Sequence, residues 1–229
     1  MAGHNKRTAR EAERRRANRE AILHAAEAVI RRKGLTATSM DDVAAEAGFS
    51  KPTVYRYVRN KAAIVFELII LYLEEVEARL GEILARPVDP RIKLRETVRY
   101  LFRFQFEKEN LTRFFILDRS FLKILHVFVA ASDKGGTEDE RKFLLRIKTH
   151  RREIMAKGAA LFEEGIASGV FRPLEVRQAV LFLGAVVQGY VHEQFWKETK
   201  PDLEKDVNDI YDILLHGVGL RDTPQGATS

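Results

Sequence analysis

The stretch from Thr38 to Val58, T-S-M-D-D-V-A-A-E-A-G-F-S-K-P-T-V-Y-R-Y-V, constrains this chain more than any other. Its spacing predicts two short helices joined by a tight turn. Ser39 can cap the first, its hydroxyl accepting from a free backbone N–H, with Asp42 three residues on as the capping-box partner. Asp41 and Asp42 also bring negative charge to the positive end of that helix. Val43, Ala44 and Ala47 fall at helical spacing and give it one small apolar face. Gly48 is placed to end it, because glycine accepts the left-handed conformation that a helix C-terminus often needs. Ser50 is the cap of the second helix, and Pro52 falls in its first turn, where the missing N–H costs nothing. Val54 and Val58, at i and i+4, point inward. Lys51, Thr53, Tyr55, Arg56 and Tyr57 are left facing out.

Such a pair of helices can dock on DNA, the second helix lying in the major groove with its N-terminal residues at the base edges. No acidic residue stands between Ser50 and Lys61, so nothing on this helix repels phosphate. The competing reading is a surface helical hairpin with an incidental positive face. Charge placement separates the two. Residues 1–61 hold 14 Lys/Arg against 7 Asp/Glu, whereas residues 62–229 hold 25 against 26, so the net charge of +6 lies beside the helical pair. A basic segment joined to a neutral one is the electrostatic footprint of nucleic-acid binding. Charge serving solubility alone leaves that asymmetry unexplained.

A longer pattern surrounds the pair. It comprises I22-L23-x-A25-A26, Gly34, T38-S39, V43-A44-x-x-A47-G48-F49-S50, K51-x-T53-V54-Y55-x-Y57-V58 and N60-K61, with no insertion or gap. The run from Ile22 to Ile64 resembles the N-terminal domain of the TetR family of bacterial transcriptional regulators. The resemblance covers about a quarter of the chain. Two positions depart from the family pattern: Pro52 stands where a small residue is usual, and Val58 where Phe is usual. Pro52 is placed to alter the pitch of the recognition helix and hence the operator it reads. The DNA-facing set expected on this basis is Ser39, Ser50, Lys51, Pro52, Thr53, Tyr55, Arg56, Tyr57 and Lys61. Tyr55 and Lys61, with Tyr57 beside them, are assigned to phosphates; Lys51, Thr53 and Arg56 are assigned to bases.

The remaining sequence shows helical periodicity and no alternating strand pattern. The expected fold is all-α: an N-terminal three-helix helix-turn-helix domain joined by a long helix to a helical ligand-binding and dimerisation domain. Residues 1–15 form a basic arm. It is either an early start of the first helix, with Thr8 and Glu11 at capping-box spacing, or a tail that orders on DNA and sends arginines into the minor groove. The DNA-binding domain is expected over 16–76, with the helix-turn-helix at 39–58. The second domain spans 77–220, and a disordered tail follows at 221–229. The first helix proper runs from about Arg19 to Lys33, with Ile22, Ala25, Ala26, Val29 and Ile30 buried. Asn60 caps a long fourth helix to about Leu84. Asp89 and Pro90 open a fifth, a sixth spans Leu111 to about Ala131, and a seventh runs from the Thr137–Glu140 capping box to about Ala167, closed by Gly169. An eighth follows Pro173 to about Lys197, and a ninth runs from Asp202 to Gly217.

Twelve of the fourteen phenylalanines lie beyond residue 100. Aromatics at helical spacing serve ordinary packing, but together they also fit a ligand cavity between helices. The family resemblance implies such a cavity, binding a small and largely apolar effector that releases DNA. The residues expected there are Phe102, Phe106, Phe114, Phe115, Phe121, Phe128, Phe162, Gln188, His192 and Trp196. Further polar candidates are Arg103, Gln105, Arg113, Asp118 and His126. The eighth helix is apolar over more than one face (Ala179, Val180, Leu183, Val186, Val187, Tyr190), and Gly184 and Gly189 admit a close neighbour. The ninth carries a stripe of Val207, Ile210, Tyr211, Leu214 and Leu215. Together these predict a homodimer through helices eight and nine. A DNA-binding dimer without small-molecule control is the alternative.

An enzyme is the third class weighed. Ser120-x-x-Lys123 has no companion motifs, and His192-Glu193 begins an H-E-x-x-H pattern that Trp196 breaks. No phosphate-binding glycine loop occurs, and the histidines show no ligand spacing, so neither a cofactor nor a metal site is expected. With no cysteine, thiolate catalysis and disulfides are excluded. The N-terminus carries no apolar run of signal-peptide type. The longest apolar stretch, Ala179–Val187, is too short for a membrane span. A cytoplasmic protein without membrane contact is the expectation.

Overall fold

The computed structural model describes residues 2–108, 112, 138–194, 196, 197 and 202–218. Eight helices occur among them: α1 (Ala2–Lys33), α2 (Met40–Ala47), α3 (Lys51–Tyr57), α4 (Lys61–Ala85), α5 (Pro90–Glu107), α6 (Glu138–Ala167), α7 (Val176–Gln194) and α8 (Leu203–Val218). No strand occurs among the described residues, as the periodicity requires. The expected sixth helix, the Thr137 end of the seventh helix's capping box and the tail lie outside them. The chain packs as two units. The first comprises residues up to 72 with the start of α6 to Ile147; the second comprises 73–108 with the chain from Lys148 onward.

In the first unit, α1 is one helix from Ala2, so the early-start reading of the basic arm is the one observed. Its Ala, Arg and Glu residues favour helix without burial, and Arg16 and Glu20 pair at i, i+4 (3.6 Å). The apolar core begins only at Ile22. Ile22, Leu23, Ala26 and Ile30 of α1 meet Val43 and Ala44 of α2, Val54 and Val58 at α3, and Ile64 and Leu68 of α4. Gly34 (φ 79°) ends α1 in the left-handed region, as expected. A polar tie supplements this core: the buried Glu67 carboxylate of α4 receives Arg19 of α1, and Arg146 of α6 lies 3.6 Å away. Neither arginine is fully buried, so water shares the solvation of the triad and its desolvation cost is moderated.

In the second unit, α5 packs against both α7 and α8. Asp89 caps α5 through the N–H of Arg91 (2.7 Å), with Pro90 at its first position, as predicted. Leu94, Val98 and Phe102 are wholly buried, and the Phe102 ring meets Tyr190 edge-on at 4.6 Å. Lys93 is buried and satisfied: its ammonium donates to both Glu164 carboxylate oxygens (2.7 and 2.8 Å) and to the Leu84 carbonyl (2.9 Å). After Gly169 (φ 72°) the chain folds Phe171 back onto α6. A Cβ on Gly165 would stand 2.0 Å from that ring, so this packing needs glycine there.

Candidate nucleic-acid interface

The two short helices form as the sequence predicts, and each cap is local. The Ser39 hydroxyl accepts from the N–H of Asp42 (3.2 Å), while the Asp42 carboxylate takes the N–H of Ser39 (2.7 Å). Lys33 pairs with the same carboxylate, and with the Ser39 hydrogen bonds it holds Asp42 well below the usual carboxylate range. Gly48 (φ 68°) turns the chain, its N–H returning to α2 carbonyls. Ser50 then caps α3: its hydroxyl lies 2.8 Å from that of Thr53 and accepts from the Thr53 N–H (3.4 Å). Pro52 sits in the first turn.

Seven residues are too few for a helix to persist alone in water, so α3 depends on its inner face. Val54 is wholly buried, and Val58, just past the helix, nearly so. The rest of α3 is turned outward. Lys51, Pro52, Tyr55 and Arg56 are exposed; Thr53 and Tyr57 are half-buried. The Lys51 ammonium lies 2.7 Å from the Asp41 carboxylate, which raises the lysine's pKa and gives the cation a partner in the DNA-free protein. Tyr57 is held from two directions: its ring joins the edge of the core, and its hydroxyl accepts from the Asn18 side-chain amide (2.9 Å). That hydrogen bond, followed by the nearby Arg56 and Arg14, lowers the phenol below its ordinary pKa.

Other members of the expected set have structural duties as well. Ser39 and Ser50 are engaged as caps. Outside that set, Asn60 caps α4 through the N–H of Ala63 (2.9 Å), as expected. Lys61 donates to the carbonyls of Thr36 (3.1 Å) and Thr38 (2.8 Å), so it ties α4 to the loop before α2. Sequence reasoning missed Asn18. Its position one helical repeat outside the buried Ile22–Ala25–Ala26 stripe was the available signal.

Of the residues expected around an effector, Phe114, Phe115, Phe121 and Phe128 lie outside the described residues, as do Arg113, Asp118 and His126. Phe102 is buried, and the Phe106 ring centroid lies 6.4 Å from that of Tyr190. Phe162 is buried beside Phe171 and lines an open cavity of about 380 Å³ with Leu174, Ala179, Phe182, Ile213 and Leu214 and the polar Arg172, Glu175 and Gln178. Gln188 and His192 are exposed on α7, and Trp196, 70% exposed, stands beyond the helix end in a turn. The eighth predicted helix therefore stops at Gln194, short of Lys197. Within one chain part of its apolar surface is exposed: Leu181, Phe182 (65%) and Val186, with Ile213 of α8 (71%). No atom comes within 4 Å of a Cβ built on Gly184 or Gly189. The two inner faces of a chain cannot cover every side of α7, so its apolar excess is left outward.

These features define a helix-turn-helix DNA-binding protein with a helical second region. Residues 22–68 match the model of the bacterial regulatory proteins of the tetR family. Its fold is similar to the fatty acid degradation regulator FadR from Bacillus halodurans (TM-score 0.66, 20% identity, 86% of this chain and 94% of that one). It is similar as well to FadR from Bacillus subtilis, solved in complex with stearoyl-CoA (0.66, 21%, 86% and 98%). A third is the ketosteroid transcriptional regulator KstR2 of Mycobacterium tuberculosis (0.61, 19%, 89% and 95%). A search of curated proteins found no match. No described helix is long and apolar enough to cross a membrane.

Proposed function

We propose that this chain is a ligand-responsive repressor that binds a palindromic operator as a homodimer and leaves it when a small, largely apolar effector binds. The observation that carries the reading is α3: a short helix fixed by Val54, presenting Lys51, Pro52, Tyr55 and Arg56 outward with no acid among them. Lys51, Thr53 and Arg56 are assigned to base edges; Tyr55, Tyr57 and Lys61 are assigned to phosphates, with Ser39, Ser50 and Pro52 setting the approach. Each chain offers one such helix, so a two-fold dimer would read two half-sites about 34–36 Å apart or a multiple of that. The exposed apolar face of α7 and α8 supports dimerisation through these helices.

One observation favours an apolar effector, the fatty-acid and ketosteroid regulators among the structural relatives; the Phe162-lined cavity opens on the same Phe182 and Ile213 that are assigned to the dimer. Because α4 is one helix from Lys61 to Ala85, it is the candidate lever between effector and DNA. The reading without an effector keeps one point: Phe102 and Phe106 already pack on Tyr190, filling space assigned to a ligand.

The test begins with selecting a duplex from a randomised pool on the full-length protein. Footprinting should protect two symmetric half-sites, and the protein should sediment as a dimer. A single protected half-site with a monomer in solution rejects the dimer reading. Stearoyl-CoA, stearate and a ketosteroid are then titrated with and without that duplex. Linkage requires an inducer to bind more weakly on DNA by the factor by which it weakens DNA binding. Equal affinity for all three probes in both arms leaves a DNA-binding dimer without control by these ligand classes.

A further inference from the structure

Helix α1 extends beyond the domain core, and the face it extends is the one that matters. Toward the C-terminus that face is the buried stripe of Ile22, Ala25, Ala26 and Val29. Toward the N-terminus, at the same helical spacing, it continues as Asn18, Arg15, Arg14 and Glu11. One face thus changes from apolar to cationic where the core ends. The change falls at Asn18, whose amide donates to the Tyr57 hydroxyl and registers α1 against the recognition helix. One turn further out, Arg14, Arg15 and Glu11 line a cavity of about 390 Å³ together with Arg56 and Tyr57 of α3.

The cavity therefore holds three guanidinium groups and one carboxylate. Among the described residues no ion pair engages Arg14, Arg15 or Arg56, whereas Arg16 pairs with Glu20 and Arg19 with Glu67. The Arg56 guanidinium lies 5.7 Å from the centre of the Tyr57 ring, which holds it at the cavity wall. An unneutralised cationic recess beside the end of a DNA-reading helix suits a phosphodiester, because guanidinium forks match phosphate oxygens.

Resting on the DNA-binding reading above, we propose that Arg14 and Arg15 form a clamp for a DNA backbone phosphate, beside the Arg56 assigned to a base edge. The clamp lies beyond the bases that α3 reads, so the N-terminal extension of α1 engages the duplex as a rigid helix. Such a contact positions the protein without reading sequence. Substituting Arg14→Ala and Arg15→Ala together in the full chain should then weaken binding equally on the selected duplex and on a scrambled duplex. Each phosphate neutralised contributes about 0.9 to the slope of log affinity against log salt, so the double variant, losing one phosphate, should lose about 0.9. Arg14→Lys with Arg15→Lys should keep most of the slope, which separates lost charge from lost folding. Arg16→Ala should leave the slope as in wild type.

A double alanine variant that keeps the wild-type slope while wild type binds in a salt-dependent way overturns the clamp alone. Wild type with no salt-dependent affinity for duplex overturns the DNA-binding reading itself. A loss confined to the selected duplex would mean that these arginines read sequence or groove shape, and would also overturn the clamp. Inorganic phosphate titrated at constant ionic strength tests the other source of the same chemistry. If it raised the melting temperature of wild type and not of the double variant, while the DNA slope stayed unchanged, the cavity would be a free-anion site and the proposal would fail.

Discussion

Substituting Val54→Ala tests whether the recognition helix is held by burial or by its own propensity. Val54 has no exposed surface, and its neighbours are core residues of α1, α2 and α4. Removing two methyl groups costs about 1.6 kcal/mol of transfer free energy at ~0.8 kcal/mol each. The residual cavity adds up to about 1 kcal/mol if its walls do not close, giving roughly 2 to 3 kcal/mol in all. Val98→Ala in α5 is the matched control, since Val98 is equally buried but lies in the second unit. Urea denaturation should show a similar loss for both variants. DNA affinity should not. A seven-residue helix that has lost its anchor must be reordered on DNA, so Val54→Ala should bind up to about 140-fold more weakly, by the factor of ten per 1.4 kcal/mol. Val98→Ala should bind as wild type. Equal stability losses accompanied by equal DNA affinities would refute the idea that Val54 holds α3 in its reading position.

Three further outcomes are expected. Lys61→Ala should weaken duplex binding evenly across sequences and lower the salt slope by about one. Because Lys61 also holds the carbonyls of Thr36 and Thr38, it should speed proteolysis of the loop before α2 as well, and an unchanged slope would remove Lys61 from the phosphate set. Phe182→Asp places a charge on the exposed apolar face of α7, so sedimentation should shift toward monomer while helix content stays constant; an unaltered dimer would move the interface elsewhere. Glu77 hydrogen-bonds His150 at 2.8 Å, and this bond, with Lys157 nearby, lowers the carboxyl pKa from its ordinary 4.5. The folded state therefore gains stability from Glu77 above pH 4.5 and loses it as pH falls through the lowered value, so Glu77→Gln should flatten that acid limb of the stability curve.

The helix-turn-helix was legible because its determinants are local. The Ser39–Asp42 capping box and the Ser50 and Asn60 caps each join a side chain to backbone three residues away, and Gly48 closes α2 through its own N–H to carbonyls three and four residues earlier. Such contacts are specified by residue type and spacing alone. The charge asymmetry was equally legible, since it needs only counting. The partners of α1 were not. The hydrogen bond from Asn18 to Tyr57 spans 39 residues and the Arg19–Glu67 pair spans 48, and no periodicity within either segment predicts which residue meets which. The double duty of Lys61 was hidden for the same reason, because its carbonyl partners come from a loop more than twenty residues earlier. Periodicity also marked α7 as apolar on more than one side without saying which side the chain would cover. Packing within the second unit decided that: Val180, Leu183, Val187 and Val191 went inward, and Leu181, Phe182 and Val186 were left exposed. Among the described residues, residue type and spacing determined which helices form and the caps that Gly34, Gly48 and Asp89 set. Only the folded chain decided which faces meet, because burial is settled by all the surfaces that compete for one core.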